Sequence, residues 1–140
     1  TQCFHLAFPT HDVHAAKKFY VDGLGCELGR MNEEAIILNL GGNQLVGHHI
    51  DEPLPAPKTI YPRHFGLIFA TEAEFHAQYS RAQEKQLKVH REPMMRHIGK
   101  ITEHLSFFLI DPTNNLLEFK YYTHAHAVFG TDDNAQIGDE

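Results

Sequence analysis

The spacing of apolar and polar positions in the first third of the chain predicts a strand, a helix and then three strands. Residues 3–8 place large apolar side chains at every second position, which is typical of a half-buried strand, and Pro9 is expected to end it. Over residues 13–24 apolar side chains recur at helical spacing, behind Thr10 or Asp12 as the N-cap. The three strands that follow are predicted over 27–32, 35–40 and 44–49.

The same order begins again after a proline-rich segment. Residues 51–62 contain four prolines and no periodicity, so they are expected to form a semi-rigid connector. Residues 63–69 alternate like the first strand, and Thr71 with Glu74 forms a capping box that starts a second amphipathic helix. Three further strands are predicted over 88–96, 105–111 and 116–122.

A weak internal duplication supports this division. An offset of 59 residues superposes His5 on His64, Phe8 on Leu67 and Tyr20 on Tyr79. One such unit cannot bury both faces of a four-stranded sheet, so two must pair. The prediction is an α+β fold of two paired βαβββ modules that form a cupped mixed sheet with the helices outside. The expected divisions are a single domain over 1–130, with module one at 3–50, the linker at 51–62 and module two at 63–122, and a mobile acidic tail at 131–140.

Composition and charge narrow the class of protein. With 140 residues and 42% hydrophobic content, the chain suffices for one globular core. Its apolar runs are far shorter than the roughly 20 residues that cross a bilayer, and it shows no signal or lipidation motif, so a cytoplasmic protein without membrane contact is expected. A net charge of -6 with scattered basic residues argues against nucleic acid. Cys3 and Cys26 do not suggest a disulfide framework.

Histidine is the residue type that points to chemistry, with 12 in the chain. In three predicted strands the large apolar residues share one face, and the opposite face carries His5, His64 and Glu118. Each of these alone is more typical of a structural or surface residue. Together, two imidazoles and one carboxylate form the ligand set of a metal site with open positions, suited to Fe(II), Mn(II), Ni(II) or Zn(II). A buried carboxylate is also costly without a cation.

Several motifs carry a resemblance to a known family. They are Phe19-Tyr20, Gly23-Leu24-Gly25, the paired His5 and His64, Phe108-Leu-Ile-Asp111-Pro112 and Leu117-Glu118-Phe119. The layout over about residues 3–122 resembles the vicinal oxygen chelate superfamily, which contains glyoxalase I, extradiol dioxygenases, fosfomycin-resistance thiol transferases and bleomycin-binding proteins. The resemblance implies that His5 and His64 are first-strand metal ligands and that Glu118 is the last-strand ligand. It also implies a homodimer.

The resemblance leaves the reaction open. Glyoxalase I usually has a fourth ligand where this chain has Val46, which cannot coordinate, although His48 lies two residues on. Three ligands resemble the extradiol dioxygenases or the fosfomycin enzymes more closely. The extradiol signature has tyrosine at Phe108, glycine at Asn114 and a histidine somewhat further ahead of Asp-Pro than His104. The sequence shows no set of basic residues that corresponds to the phosphonate pocket of the fosfomycin enzymes.

The leading hypothesis is an Fe(II)-dependent, dioxygenase-like enzyme whose small-molecule substrate chelates the metal through vicinal oxygens. His48 and His104 are candidate acid–base residues, and Tyr122 or Lys120 is a candidate for orienting an anionic oxygen. The alternatives are a glyoxalase I-like isomerase or lyase with Ni(II) or Zn(II), and a metal-free binding protein for a small ligand, as in bleomycin resistance.

Overall fold

Module one supplies the first sheet of the structure, a computed structural model that describes residues 1–130 and 137–138. Its strands are β1 (His5–Thr10), β2 (Glu27–Met31), β3 (Ala35–Leu40) and β4 (Asn43–His49). They are ordered β1-β4-β3-β2, with β1 parallel to β4 and the other pairs antiparallel. Between β1 and β2 the chain forms helix α1 (Val13–Lys17), continued by a π-helical turn (Lys18–Gly23).

Module two repeats this topology in a second sheet. Its strands are β5 (Phe65–Ile68), β6 (Val89–Arg96), β7 (His104–Ile110) and β8 (Leu116–Tyr122), ordered β5-β8-β7-β6 with β5 parallel to β8. Helix α2 (Glu72–Glu84) starts at the predicted capping box of Thr71 and Glu74, and a 3-10 turn (Ala125–Val128) follows β8. The predicted α+β architecture of two βαβββ modules is confirmed.

Strand β1 continues through Pro9, so the prediction that this proline ends the strand is wrong. The carbonyls of Phe4 and Thr10 accept hydrogen bonds from the β4 side, which places the even-numbered residues of β1 in the ladder. Pro9 therefore turns its nitrogen away from β4, on the side where no strand of the described residues pairs with β1. Proline is tolerated at such a position because no ladder hydrogen bond is lost.

The first helix also differs from the single amphipathic helix predicted over 13–24. Asp12 is its N-cap, and the carboxylate accepts hydrogen bonds from the backbone of His14 and Ala15. The α-helical hydrogen bonding then widens to a π-helical turn, which ends with Leu24 N–H donating to the Phe19 carbonyl. Along that turn the adjacent residues Phe19 and Tyr20 are both buried, although the α-helical face would favour burying one of them.

Both modules contribute to one hydrophobic core. Helix α1 packs on β3 and β4, and α2 packs on β8. The aromatic residues of the core come from both halves of the chain: Phe8, Phe19, Tyr20, Phe75, Phe107 and Phe119. We call the side of each sheet that faces away from this core its inner face.

A buried hydrogen-bond junction joins the modules. The Tyr20 hydroxyl donates to Oδ2 of Asp111 at 2.7 Å, and the Asn115 amide donates to the same oxygen at 2.8 Å and to the Pro9 carbonyl at 2.9 Å. His11 of module one donates its backbone N–H to the Thr113 hydroxyl at 3.0 Å. These bonds fix the end of β1 against the turn between β7 and β8.

The predicted acidic tail at 131–140 lies largely outside the described residues, which include only Ile137 and Gly138 of it. Among the described residues, no helix combines the length and the hydropathy needed to cross a membrane.

Candidate functional site

A cavity of about 480 Å³ lies on the inner face of module two. Its floor is formed by side chains of β7 and β8, and the residues that follow β8 cover part of it, including Ala127, Phe129 and Gly138. The polar and charged side chains that line it are Tyr61, His64, Arg96, His97, Thr102, His104, Glu118, Lys120 and Tyr122. Five residues predicted from sequence as candidate site residues therefore share one cavity: His64, His104, Glu118, Lys120 and Tyr122.

His64 and Glu118 are in direct contact at this cavity. Nε2 of His64 lies 3.0 Å from Oε1 of Glu118. Glu118 lies on β8 opposite Gly66 of β5, two residues after His64. A Cβ added at Gly66 would overlap the backbone carbonyl of Glu118, so the close approach of the two strands here requires glycine.

In each side chain of the pair, the polar atom that does not contact the partner is hydrogen-bonded to another group. Nδ1 of His64 lies 2.8 Å from the Ile60 carbonyl, which can only accept, so Nδ1 carries the proton and donates it. The buried Ser106 hydroxyl donates to Oε2 of Glu118 at 2.6 Å. Nε2 of His64 and Oε1 of Glu118 are the atoms that remain, and they point at each other. Outer bonds of this kind typically orient metal ligands.

The pair also shifts the protonation of both partners. The hydrogen bond to Glu118 raises the pKa of His64, against the opposing effect of burial. Burial alone would raise the pKa of Glu118, but hydrogen bonds from His64 and Ser106 and the charge of Lys120 outweigh burial and lower the pKa. Without a metal, the pair therefore favours a protonated imidazole beside an ionised carboxylate.

A divalent metal fits these two donors, because a neutral imidazole nitrogen and a carboxylate oxygen converge on one point from oriented side chains. In the described part of the chain, no third His, Cys, Asp or Glu joins them as a ligand set. One chain thus provides two of the three predicted ligands in one place.

His5, the remaining predicted ligand, is exposed at the start of β1. Its Nδ1 lies 2.8 Å from Oε1 of Gln44, an acceptor, so Nδ1 donates and Nε2 keeps its lone pair. His5 therefore resembles His64, because in both residues Nδ1 is hydrogen-bonded to a carbonyl oxygen. His48, predicted as an acid–base residue, is exposed near the end of β4.

Lys120 bridges the pair and the phenol of Tyr122. Its Nζ lies 3.6 Å from Oε1 of Glu118 and 3.4 Å from the Tyr122 hydroxyl, to which it donates. Phe108 presents its buried ring edge-on to His64, with ring centroids 5.1 Å apart. His104 packs against Tyr122 at the other end of the cavity, with ring centroids 4.9 Å apart.

Sequence reasoning missed Ser106 and His97. Ser106 lies two residues from both His104 and Phe108 on β7, so strand alternation places it on the same face, and that signal was present. His97 has a positive φ of 54° in the segment between β6 and β7. No periodicity of the sequence predicts this conformation.

Comparisons with known proteins place the chain in a family. The model of the Glyoxalase/Bleomycin resistance protein/Dioxygenase superfamily matches residues 2–119. A glyoxalase/bleomycin resistance protein/dioxygenase from Alicyclobacillus acidocaldarius is 42% identical, with 91% of this chain and 96% of that chain covered and a TM-score of 0.86. No protein with a curated description matches the chain.

More distant structures share the fold alone. Lactoylglutathione lyase from Agrobacterium tumefaciens is 20% identical, covers 86% of this chain and 93% of its own, and has a TM-score of 0.65. Fosfomycin resistance protein FosX from Mesorhizobium loti is 13% identical, covers 91% and 97%, and has a TM-score of 0.67. On the family match and the 42% identical structure, the chain belongs to the glyoxalase/bleomycin resistance protein/dioxygenase superfamily.

Proposed function

We propose that this protein is a metal-dependent enzyme that acts on a small substrate bound through two neighbouring oxygens, with Fe(II) as the metal and dioxygenase-like chemistry. The observation that carries the proposal is the convergence of Nε2 of His64 and Oε1 of Glu118 at 3.0 Å. Ile60 and Ser106 occupy the other polar atom of each side chain, so both remaining atoms are available to one ion.

His5 of a second copy is the third ligand in this proposal, which makes the active form a homodimer. Two features support it. The Gln44 amide orients the exposed His5 as the Ile60 carbonyl orients His64. In addition, among the described residues β1 and β5 each pair with one strand only, so His5 and His64 lie at the starts of edge strands, where another chain can approach.

Two imidazoles and one carboxylate leave positions free on an Fe(II) ion, which supplies Lewis acidity for substrate oxygens and a site for O2. Lys120, 3.6 Å from Glu118, is placed to bind an anionic substrate oxygen. Phe108 packs edge-on against His64 and helps to hold the imidazole in place. Val46 lies opposite Ala7 as Glu118 lies opposite Gly66, so the position of a fourth ligand carries a side chain that cannot coordinate.

A second candidate function, a metal-free binding protein for a small ligand, is favoured by the same pair. His64 and Glu118 can satisfy each other as an ion pair at 3.0 Å without any metal. The raised pKa of His64 supports a protonated imidazole in that state.

Metal analysis after anaerobic purification separates these functions. We expect iron at one equivalent per site, with O2 uptake on substrates that offer two neighbouring oxygens, such as catechols and 2-hydroxy acids. Nickel or zinc with turnover of methylglyoxal and a thiol would instead indicate the isomerase or lyase. A protein that binds no divalent metal at any pH where it is folded would contradict both enzymes and favour the binding protein.

Mixing two inactive variants tests whether the site is shared. His5→Ala and Glu118→Gln each spoil every site of a homodimer, but a mixed dimer keeps one intact site. After subunit exchange, we expect metal content to return to about a quarter of the wild-type sites, because half of the dimers are mixed and half of their sites are complete. No recovery on mixing would refute a shared site. The surface variant His14→Ala is the matched control and should keep full metal content.

A further inference from the structure

At the Tyr122 end of the cavity, a buried histidine carries a hydrogen-bond acceptor that the proposed metal chemistry does not use. His104 is 6% exposed, and its Nδ1 lies 2.9 Å from the Thr102 carbonyl. A carbonyl only accepts, so Nδ1 carries the proton and Nε2 keeps a lone pair. In residues 1–130 and 137–138, no hydrogen bond reaches that Nε2. His104 lines the cavity, so this nitrogen is available to a ligand there.

The neighbouring His97 does not supply a partner, because both of its ring nitrogens are engaged. His97 donates from Nε2 to the Gly138 carbonyl at 2.7 Å, and its Nδ1 accepts from the Thr102 hydroxyl at 2.9 Å. The rings of His97 and Tyr122 pack on His104 with centroids 5.1 Å and 4.9 Å away. Two aromatic rings therefore flank the His104 ring, and such surfaces suit a flat ligand segment.

We propose that His104 forms a subsite for the distal part of the ligand and accepts a hydrogen bond there from a hydroxyl or amide N–H. The proposal rests on the proposed function only in treating the His64–Glu118 end as the place of the reacting group. Glu118 and Tyr122 are four residues apart on β8, so their backbones lie ~13 Å apart. The ligand therefore needs a tail several atoms long, with its donor at the end.

The subsite selects a donor rather than an acceptor. Burial lowers the pKa of His104, and the charge of Lys120 lowers it further, so the imidazole stays neutral. A neutral imidazole whose Nδ1 proton is bound to Thr102 can only accept at Nε2. A ligand tail that ends in an acceptor or a methyl group would leave this nitrogen unpaired, which costs binding free energy.

A phenol titration followed by nitrogen NMR of the histidine rings tests this subsite. Phenol offers a hydroxyl on a flat ring, and fluorobenzene is its counterpart without a donor. With the full-length wild-type protein, we expect phenol to shift the Nε2 resonance of His104, while fluorobenzene does not. The rings of exposed histidines, such as His14 and His76, are internal controls. His104→Phe keeps a ring against Tyr122 and should weaken phenol binding by about tenfold.

Three results would overturn the proposal: no shift of His104 at any phenol concentration that dissolves, an equal shift with fluorobenzene, or unchanged phenol affinity in a folded His104→Phe variant. The wild-type titration decides the question even if that variant does not fold. Because the titration needs no metal, its failure is distinguishable from a failure of the proposed metal site, which metal analysis reports separately.

Discussion

The two modules share one backbone plan but differ on their inner faces. The strand registers make residues of module one equivalent to residues of module two: His5 to His64, Ala7 to Gly66, Ala35 to Ser106, Val46 to Glu118 and His48 to Lys120. Module two therefore has a carboxylate, the hydroxyl that orients it, and an ammonium group, where module one has valine, alanine and imidazole.

After duplication, the two modules keep one polar feature in common and differ in the others. Both modules keep the histidine that begins the edge strand, and both hold its Nδ1 with a carbonyl oxygen. The additional polar groups occur where a cavity encloses them, because a fixed carboxylate and its hydrogen bonds are most effective away from water. Module one leaves His5 and His48 exposed.

Exchanging glycine and alanine at Gly66 and Ala7, the residues opposite Glu118 and Val46, should give the largest difference between the modules. In Gly66→Ala, the new Cβ overlaps the Glu118 carbonyl, so the strands must separate and Glu118 must move. We expect a loss of about 3 kcal/mol in the free energy of unfolding, the upper part of the usual range for overpacking, together with lost metal binding. Denaturant unfolding and metal titration measure the two effects.

The reciprocal change in module one is the matched control. Ala7→Gly removes a methyl group from the equivalent position and should cost about 0.5–1 kcal/mol, as glycine does in a strand. Equal losses for the two variants would mean that the close approach at Gly66 is not special to module two.

Exchanging serine and alanine at Ser106 and Ala35, the equivalent positions on β7 and β3, should give a smaller effect, which is measured as metal affinity. Ser106→Ala removes the hydrogen bond that orients Glu118, and we expect metal affinity to fall about ten- to hundredfold, as for other groups that orient ligands. Ala35→Ser adds the equivalent hydroxyl to module one, where Val46 cannot use it, and should leave affinity unchanged. Isothermal titration with one metal on both variants checks this, and unaltered affinity in Ser106→Ala would contradict the orienting role.

The buried histidine of module two should give the smallest effect, seen in the pH dependence of stability. Burial lowers the pKa of His104, so below about pH 6.5 the unfolded chain binds a proton that the folded chain resists. Stability is therefore lost as pH falls through this range. In His104→Gln that loss is absent, so the difference in unfolding free energy between wild type and variant should shrink as pH falls. A difference that is constant from neutral to acidic pH would contradict this.

Much of the fold followed from local patterns, and the exceptions have physical causes. Period-two segments, helical spacing and the capping box at Thr71 predicted the strands β1 to β8 and the helices α1 and α2 in order, because each is set by residues close in sequence. The passage of β1 through Pro9 depended on which side of the strand has a neighbour. The π-helical turn at Phe19 and Tyr20 depended on what packs against both. Neither can be derived from a local period.

The candidate site divides in the same way. Strand alternation predicted that His64 and Glu118 share a face, since alternation is a property of the strand itself. The distance of His5 from that pair depends on how two modules pack, which alternation does not describe. Strand alternation predicts that His104 and Tyr122 lie on the same face as Glu118, as the structure shows. Their distance from Glu118 along the sheet follows only from the strand register.

The buried junction of Tyr20, Asp111 and Asn115 has a consequence for how ligand preference can change. In a homodimer with shared sites, each cleft takes one wall from each copy, and the junction sets the angle between the two walls that one chain contributes. Two-fold symmetry repeats any change of that angle in both clefts. A single substitution at the junction would thus reshape two active sites at once without altering any residue that touches metal or ligand.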